Sequence, residues 1–167
     1  MLLPGISIRQ PKANDIVDNP IIVCGISTAF EGTIQVRIRD SKGKEIYRKF
    51  FNAGGGNGIF SNLNIELLLE KMPKTAMATV EVFESSAKDG SEVNKVVIPI
   101  ILGQVLVKGY IGFSLYTVKS SDTLFNIAAY FYGDGNLNSR IFEANRNQLN
   151  SPDQIFVGQV LRVPIGV

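Results

Sequence analysis

The chain has 167 residues, room for one medium domain or two small ones, and its 45% hydrophobic and 19% charged residues exclude a disordered or coiled-coil chain. A balance of 17 basic against 15 acidic residues, net +2, argues against nucleic acid as the main partner, because such binding rests on neutralising many phosphates. A neutral ligand fits better.

Met1-Leu2-Leu3-Pro4-Gly5 lacks a basic region followed by a long apolar stretch, so no signal peptide is expected there. No apolar run approaches the roughly 20 residues of a transmembrane helix. Cys24 follows Ile21-Ile22-Val23, a strand-like run, and is expected to be a core thiol. The chain has no histidine, so the usual activating base for a cysteine nucleophile is missing.

Up to about Leu102 the apolar residues alternate. Ile34, Val36 and Ile38 fall on one side, with Gln35, Arg37 and Arg39 on the other. Leu63, Ile65 and Leu67 repeat the pattern, as do Val80 with Val82, and Val96, Ile98 and Ile100. A period of two puts alternate side chains on one face of a strand. Turn signals separate the runs: Asn19-Pro20, Ser41-Lys42-Gly43, the glycine cluster 54–58, Met72-Pro73 and Lys88-Asp89-Gly90. Short strands at this spacing predict a β-sandwich. The glycine cluster lacks the Gly-Lys-Ser/Thr ending of a phosphate loop and reads as a hairpin loop.

Glu31, Glu84, Asp89 and Glu92 invite a carboxylate-pair reading. Glycoside hydrolysis would need two carboxylates across a sugar cleft, about 5–10 Å apart, and nothing in the sequence converges them, so turn caps and solvated positions are expected. No catalytic residue, metal site or cofactor is assigned. Arg37, Arg39, Lys44, Arg48 and Lys49 read as solvated strand positions, with an anionic polymer as the alternative partner.

Residues 104–114 contain Gly109 and Gly112 but are too apolar for a freely solvated linker. The first part is expected to pack on the sandwich, with a flexible point between Gly109 and Ser114. Beyond Tyr116 the period changes. Tyr116-Thr117-Val118 reads as a strand, and Leu124, Ile127, Ala128 and Phe131 form one helical stripe, with Asp122 as the expected N-cap. Tyr132-Gly133-Asp134-Gly135 stops that helix. Leu137, Ile141 and Ala144 mark a second helix, and Val160 to Val163 a closing strand. The order is β-α-α-β, and the whole chain is mostly β plus α+β.

Two resemblances follow from these blocks. Ile6-Ser7-Ile8 before Pro11, Val17 to Gly25 with Asn19-Pro20, Phe30-Glu31-Gly32, Asp40 with Gly43, and Val82 to Ser91 resemble the Gmad2 domain, an immunoglobulin-like domain associated with spore germination. Tyr116 to Leu124 with Ile127-Ala128, then Asn145 and Ser151 to Pro164, resemble a LysM module. The resemblance implies an immunoglobulin-like β-sandwich at 1–103, a linker at 104–114 and a βααβ LysM module at 115–167. It implies a noncatalytic, bacterial protein of the cell wall or spore envelope whose partner is peptidoglycan or N-acetylglucosamine oligomers. An envelope or spore protein partner and assembly after cytoplasmic synthesis are also compatible with it.

Carried over residue by residue, the glycan groove is formed by Ser120, Ser121, Asp122, Thr123 and Leu124 together with Asn150, Ser151, Pro152, Asp153, Gln154, Ile155 and Phe156. The amides of the first loop and the apolar contacts of Pro152, Ile155 and Phe156 suit N-acetyl groups. Asn145 is expected to bond backbone in a turn. Where the family often has glycine before the aspartate, this chain has Ser121, and Tyr132 to Gly135 lengthens the connection to the second helix. The alternative is an assembly adaptor of a spore coat or phage-tail-like device without glycan binding.

Overall fold

The computed structural model describes residues 5–29, 32–54 and 59–167. Phe30 and Glu31, most of the glycine cluster and the first four residues lie outside them.

Among the described residues the alternating half forms eight strands: β1 (Ile6–Gln10), β2 (Asp15–Val17), β3 (Ile21–Ser27), β4 (Thr33–Asp40), β5 (Glu45–Asn52), β6 (Ser61–Leu67), β7 (Met77–Ser85) and β8 (Glu92–Leu102). They make two sheets, ordered β1-β3-β6 and β2-β8-β7-β4-β5. All pairings are antiparallel except β2 with β8. Ile21, Val23, Leu63, Ile65 and Leu67 of the small sheet meet Ile34, Val36, Ile38, Val80, Val82 and Ile100 of the large one in a single buried core. This is the β-sandwich that the two-residue period predicts, with the immunoglobulin-like form that the Gmad2 resemblance implies.

Cys24 departs from expectation. It alternates with the core residues Val23 and Ile21 on β3, so it lies on the outer face, half-buried, with its Sγ 3.4 Å from Asn64 Oδ1.

The second half is built on a two-stranded ribbon of β9 (Tyr110–Thr117) and β10 (Val160–Gly166). Between them lie α2 (Leu124–Tyr132), a 3-10 turn (Gly135–Leu137) and α3 (Asn138–Ala144), after a one-turn α1 (Gly103–Leu106) that follows β8. Helix α2 ends where Gly133 adopts φ 74° and its N–H bonds Ala129 O at 3.0 Å, the left-handed cap glycine accepts without strain. A second core gathers Val118, Leu124, Ile127, Ala128, Ile141, Leu149, Leu161 and Val163.

The stretch read as containing a flexible point is structured. From Tyr110 to Ser114 the chain is already strand β9, with Ser114, Phe113 and Gly112 paired to Val163, Pro164 and Ile165. The Tyr110 ring lies where a side chain on Gly103 would sit, 2.4 Å from an added Cβ, so the bare glycine lets that ring pack against the backbone. Gln104 bonds both Asp18 Oδ1 (2.8 Å) and the Tyr110 main chain.

The two halves touch. Ala76 and Ile101 of the sandwich share a buried cluster with Leu106 and Ala144. Arg162 on β10 donates to Asn14 O at 2.7 Å, to Ala144 O and to Asn147 Oδ1 at 2.8 Å. One guanidinium thus ties the sandwich to the helical module.

Candidate functional site

The first expected loop is organised by Asp122. Its Oδ2 accepts the Lys119 N–H at 2.7 Å and the Tyr116 hydroxyl at 2.8 Å. These bonds, the Lys119 amide first, hold the carboxyl below its ordinary value, and the same bond to Asp122 raises the Tyr116 phenol. Asp122 is therefore not the helix cap. Thr123 is: its Oγ1 accepts the Asn126 N–H at 3.1 Å. A single residue position separates the two roles, and the extended backbone of Thr123 (φ −129°, ψ 157°) is what aims its hydroxyl at the first turn. Ser121 sits at φ 69°, in the left-handed region that favours glycine.

The second loop runs from α3 to β10. Asn145, fully buried, donates to Ile141 O (2.7 Å) and Arg162 O (2.8 Å) and accepts from Arg162 N (2.9 Å) and Gln148 Nε2 (3.0 Å). It stitches α3 to β10, the structural role read from sequence. Gln159 Oε1 accepts the Phe156 N–H at 3.1 Å, and Gln148 Nε2 donates to Val160 O at 2.9 Å. Ile155 turns inward onto the module core, whereas Phe156 is 71% exposed.

The loops share their roots. Val118 N donates to Gln159 O at 2.9 Å and Val118 O accepts from Gly158 N at 2.8 Å, so the ribbon pairing extends to the mouth of both loops. Leu124 and Ile155 belong to one apolar cluster beneath them. Ser120, Ser121, Thr123, Asn150, Pro152, Asp153 and Gln154 are exposed, and Ser151 is half-buried. The only ionisable groups among the expected residues are Asp122 and Asp153, and Asp122 is engaged internally, which suits a neutral ligand.

A recess of about 410 Å³ opens beside the first loop, lined by Tyr116, Lys119, Asp122, Asn126, Ile127, Tyr130 and Phe131. Sequence reading found only Asp122 of these as a site residue. The Phe131 ring stands edge-on to Tyr116 (5.8 Å) and Tyr130 (5.1 Å), and Tyr130 is 80% exposed. The missed signal is the run Tyr130-Phe131-Tyr132: three successive aromatics on a helix cannot all face one core. Tyr132 turns inward, donates to Pro164 O at 3.0 Å and is pushed up to about 12 by burial.

On the sandwich, Lys44, Arg48 and Lys49 are exposed and Arg39 half-exposed, as expected of a solvated basic strip, and the correction falls on Arg37. Arg37 is buried, paired with Glu81 and bidentate to Glu92 (2.7 and 3.0 Å), with its guanidinium 4.8 Å from the Phe83 ring. Lys95 bridges Glu81 and Glu92, at 3.3 and 3.0 Å. Arg37 and Lys95 bring Glu92 down to about 2. The outer face of the large sheet is covered by its own long side chains, and the sequence pattern alone did not reveal Glu81 as the partner. Asp89 caps a turn through the Ser91 amide (3.0 Å) as expected, and Glu84 is buried and accepts from Asn94 (3.0 Å). Among the described residues no group of three or more His, Cys, Asp or Glu is placed to hold a metal ion.

Comparison with known proteins finds a match to Gmad2, the immunoglobulin-like domain of bacterial spore germination, over residues 5–91, and to the LysM domain over residues 116–164. A protein of Escherichia coli O6:H1 named potassium binding protein Kbp is 59% identical over 49 residues, 29% of this chain and 33% of that protein. An uncharacterized protein of Deinococcus radiodurans is 43% identical over 53 residues, 32% of this chain and 20% of that one. The chain thus spans a third or less of the length of these relatives.

Proposed function

We propose, for a chain that belongs to the Gmad2 family of immunoglobulin-like domains of bacterial spore germination and carries a LysM domain, a noncatalytic role in the wall or spore envelope: binding peptidoglycan or another N-acetylglucosamine-containing glycan. The LysM match over the complete β-α-α-β module carries this reading, and the geometry of the two loops supports it. Their roots are hydrogen-bonded at Val118, and Leu124 and Ile155 form an apolar floor between exposed polar rims. Ser120 to Leu124 and Asn150 to Phe156 are the proposed contacts, with the sandwich, residues 1–103, as spacer or protein-interaction module.

Each sugar hydrogen bond exchanges for one to water and nets about 1 kcal/mol. A single module therefore binds weakly, and tight retention requires several modules on one polymer. The test is a titration of the full chain with N-acetylglucosamine oligomers of increasing length, following backbone amides. Shifts confined to the two loops are expected. Unchanged loop amides at millimolar ligand would exclude the reading. Because the name of the E. coli relative refers to potassium, the titration is run in both sodium and potassium buffers.

An adaptor role is the second reading. Ile111, Phe113 and Leu115 leave one face of β9 apolar and exposed, a surface suited to protein contact. Co-purification of a stoichiometric protein partner, without retention on insoluble peptidoglycan, would favour it.

A further inference from the structure

Two adjoining clefts are lined by basic side chains. A cleft of about 580 Å³ beside the β4–β5 hairpin is lined by Lys42, Lys44, Lys71 and Lys74, with Asp40 and Glu45. A second, of about 570 Å³, shares Lys74 and Thr75 with the first and crosses to the helical module, where Arg140, Glu143 and Arg146 line it. Six cations against three carboxylates give the joined clefts a net +3, more than the +2 of the whole chain.

The carboxylates do not neutralise the lysines. Asp40 Oδ1 is engaged by the Lys42 and Lys44 amides (2.9 and 3.0 Å), Glu45 pairs with Arg48 (2.8 Å) and Glu143 with Arg146 (3.7 Å). Among the described residues, none of the four lysine ammonium groups has a carboxylate within ion-pair distance. The floor is apolar: Ile46, Met72 and Pro73 in the first cleft, Met77, Val105 and Leu106 in the second. Leu106 belongs to the buried cluster that joins the halves, which holds the two walls of the second cleft together.

We propose that this double cleft binds the stem peptides of peptidoglycan. The proposal rests on the glycan reading above and extends it from the sugar strand to its side chains. A stem peptide combines carboxylates with alanine methyl groups, and the clefts combine ammonium groups with an apolar floor. A phosphodiester polymer would match the charge and leave that floor uncovered. The placement also fits: Arg146 ends the cleft only four residues before Asn150, where the proposed glycan loop begins.

The experiment titrates the full chain with a synthetic sugar-free stem peptide, its carboxyl-amidated form, a polyglycerol phosphate and an N-acetylglucosamine tetramer. The stem peptide is expected to shift the amides of Lys71 to Ala76 and Ser139 to Arg146. Its affinity should fall about fivefold or more on amidation and in Lys71→Glu/Lys74→Glu. It should also weaken as ionic strength rises from about 0.01 to 0.15 M, because the screening length contracts from about 30 to 8 Å. Equal binding of the amidated peptide, absence of cleft shifts, or tighter binding of the phosphate polymer would each overturn the proposal. Should the double reversal disturb folding, Lys42→Ala/Lys44→Ala and the salt dependence of the unaltered chain decide it. The tetramer reports separately on the loops, so failure of the sugar reading and failure of the peptide groove are distinguishable.

Discussion

The two halves are stabilised by different means. The sandwich buries an apolar core between two sheets and then covers the outside of the larger sheet with an ion cluster around Arg37. The LysM half has a smaller core and relies on single polar side chains, Asn145 and Asp122, each satisfying several partners at once. Small modules bury a lower fraction of their surface, so backbone stitching by one amide carries proportionately more there. A single polar substitution should therefore weaken only the half that holds it.

The largest effect is expected from Arg37→Met. It removes the fully buried partner of the Glu81 carboxylate and leaves only the half-exposed Arg39 and Lys95 beside it. The loss should therefore approach the lower end of the about 3–5 kcal/mol that breaking a buried pair from one side costs. The unfolding midpoint of the sandwich should fall, while amide shifts of the LysM core stay unchanged. Arg37→Met combined with Glu81→Leu should recover much of the loss, since replacing a whole buried pair by apolar groups is often close to neutral. Failure of the double variant to recover would assign the loss to packing on Phe83 instead of charge.

Asn145→Ala tests the other half. It orphans the Arg162 amide and the carbonyls of Ile141 and Arg162, and an unsatisfied buried group costs about 1–3 kcal/mol. Thermal unfolding followed by LysM reporters should move down by several degrees, with little change at the sandwich core. Equal loss in both halves would mean that the Arg162 bridge makes them one cooperative unit.

The same contrast explains what was legible in the sequence. Core strands were readable because Ile34, Val36, Ile38 and Leu63, Ile65, Leu67 follow strict alternation, and a period is a local property. The inner stripe of α2 was readable for the same reason. The burial of Arg37 was not, because its partners Glu81 and Glu92 come from strands far along the chain and pairing register decides whether they meet. Residues near Asp122 were legible as a loop but not as a hydrogen-bond scheme: whether Asp122 or Thr123 caps α2 turns on backbone dihedrals. The structured course of Tyr110 to Ser114 escaped because the partner strand lies about fifty residues downstream.

A smaller pair of effects appears at acid pH. Glu92, whose folded value is about 2, and Asp122, whose value is also lowered, are both favoured as anions by the native structure. Their contributions are fully present above the unfolded carboxylate values of about 4. They are lost as pH falls through the folded values. Carboxyl chemical shifts should show Glu92 still ionised near pH 3. Titration of Glu92 near its ordinary value would mean that the bidentate bond to Arg37 does not persist in solution. For Asp122, the Tyr116 and Lys119 resonances should change together in the same acid limb.

The smallest expected change is a gain, at Ser121. Its φ of 69° places a Cβ-bearing residue in the left-handed region, where the strain is about 1 kcal/mol. Ser121→Gly relieves that strain but loosens the unfolded chain, so the net stabilisation should be well under 1 kcal/mol. The glycine should act on the loop more than on the fold, since Ser121 lies between the Lys119 and Asp122 groups that close it. Amide exchange at Asp122 and Thr123 would report this directly, and sugar affinity would report its consequence. If Ser121→Gly leaves oligomer binding unchanged while slowing loop exchange, the serine is a tolerated strain with no part in recognition. If affinity falls while loop exchange is unchanged, the hydroxyl itself contacts the ligand, and the departure from glycine is a specificity feature of this module.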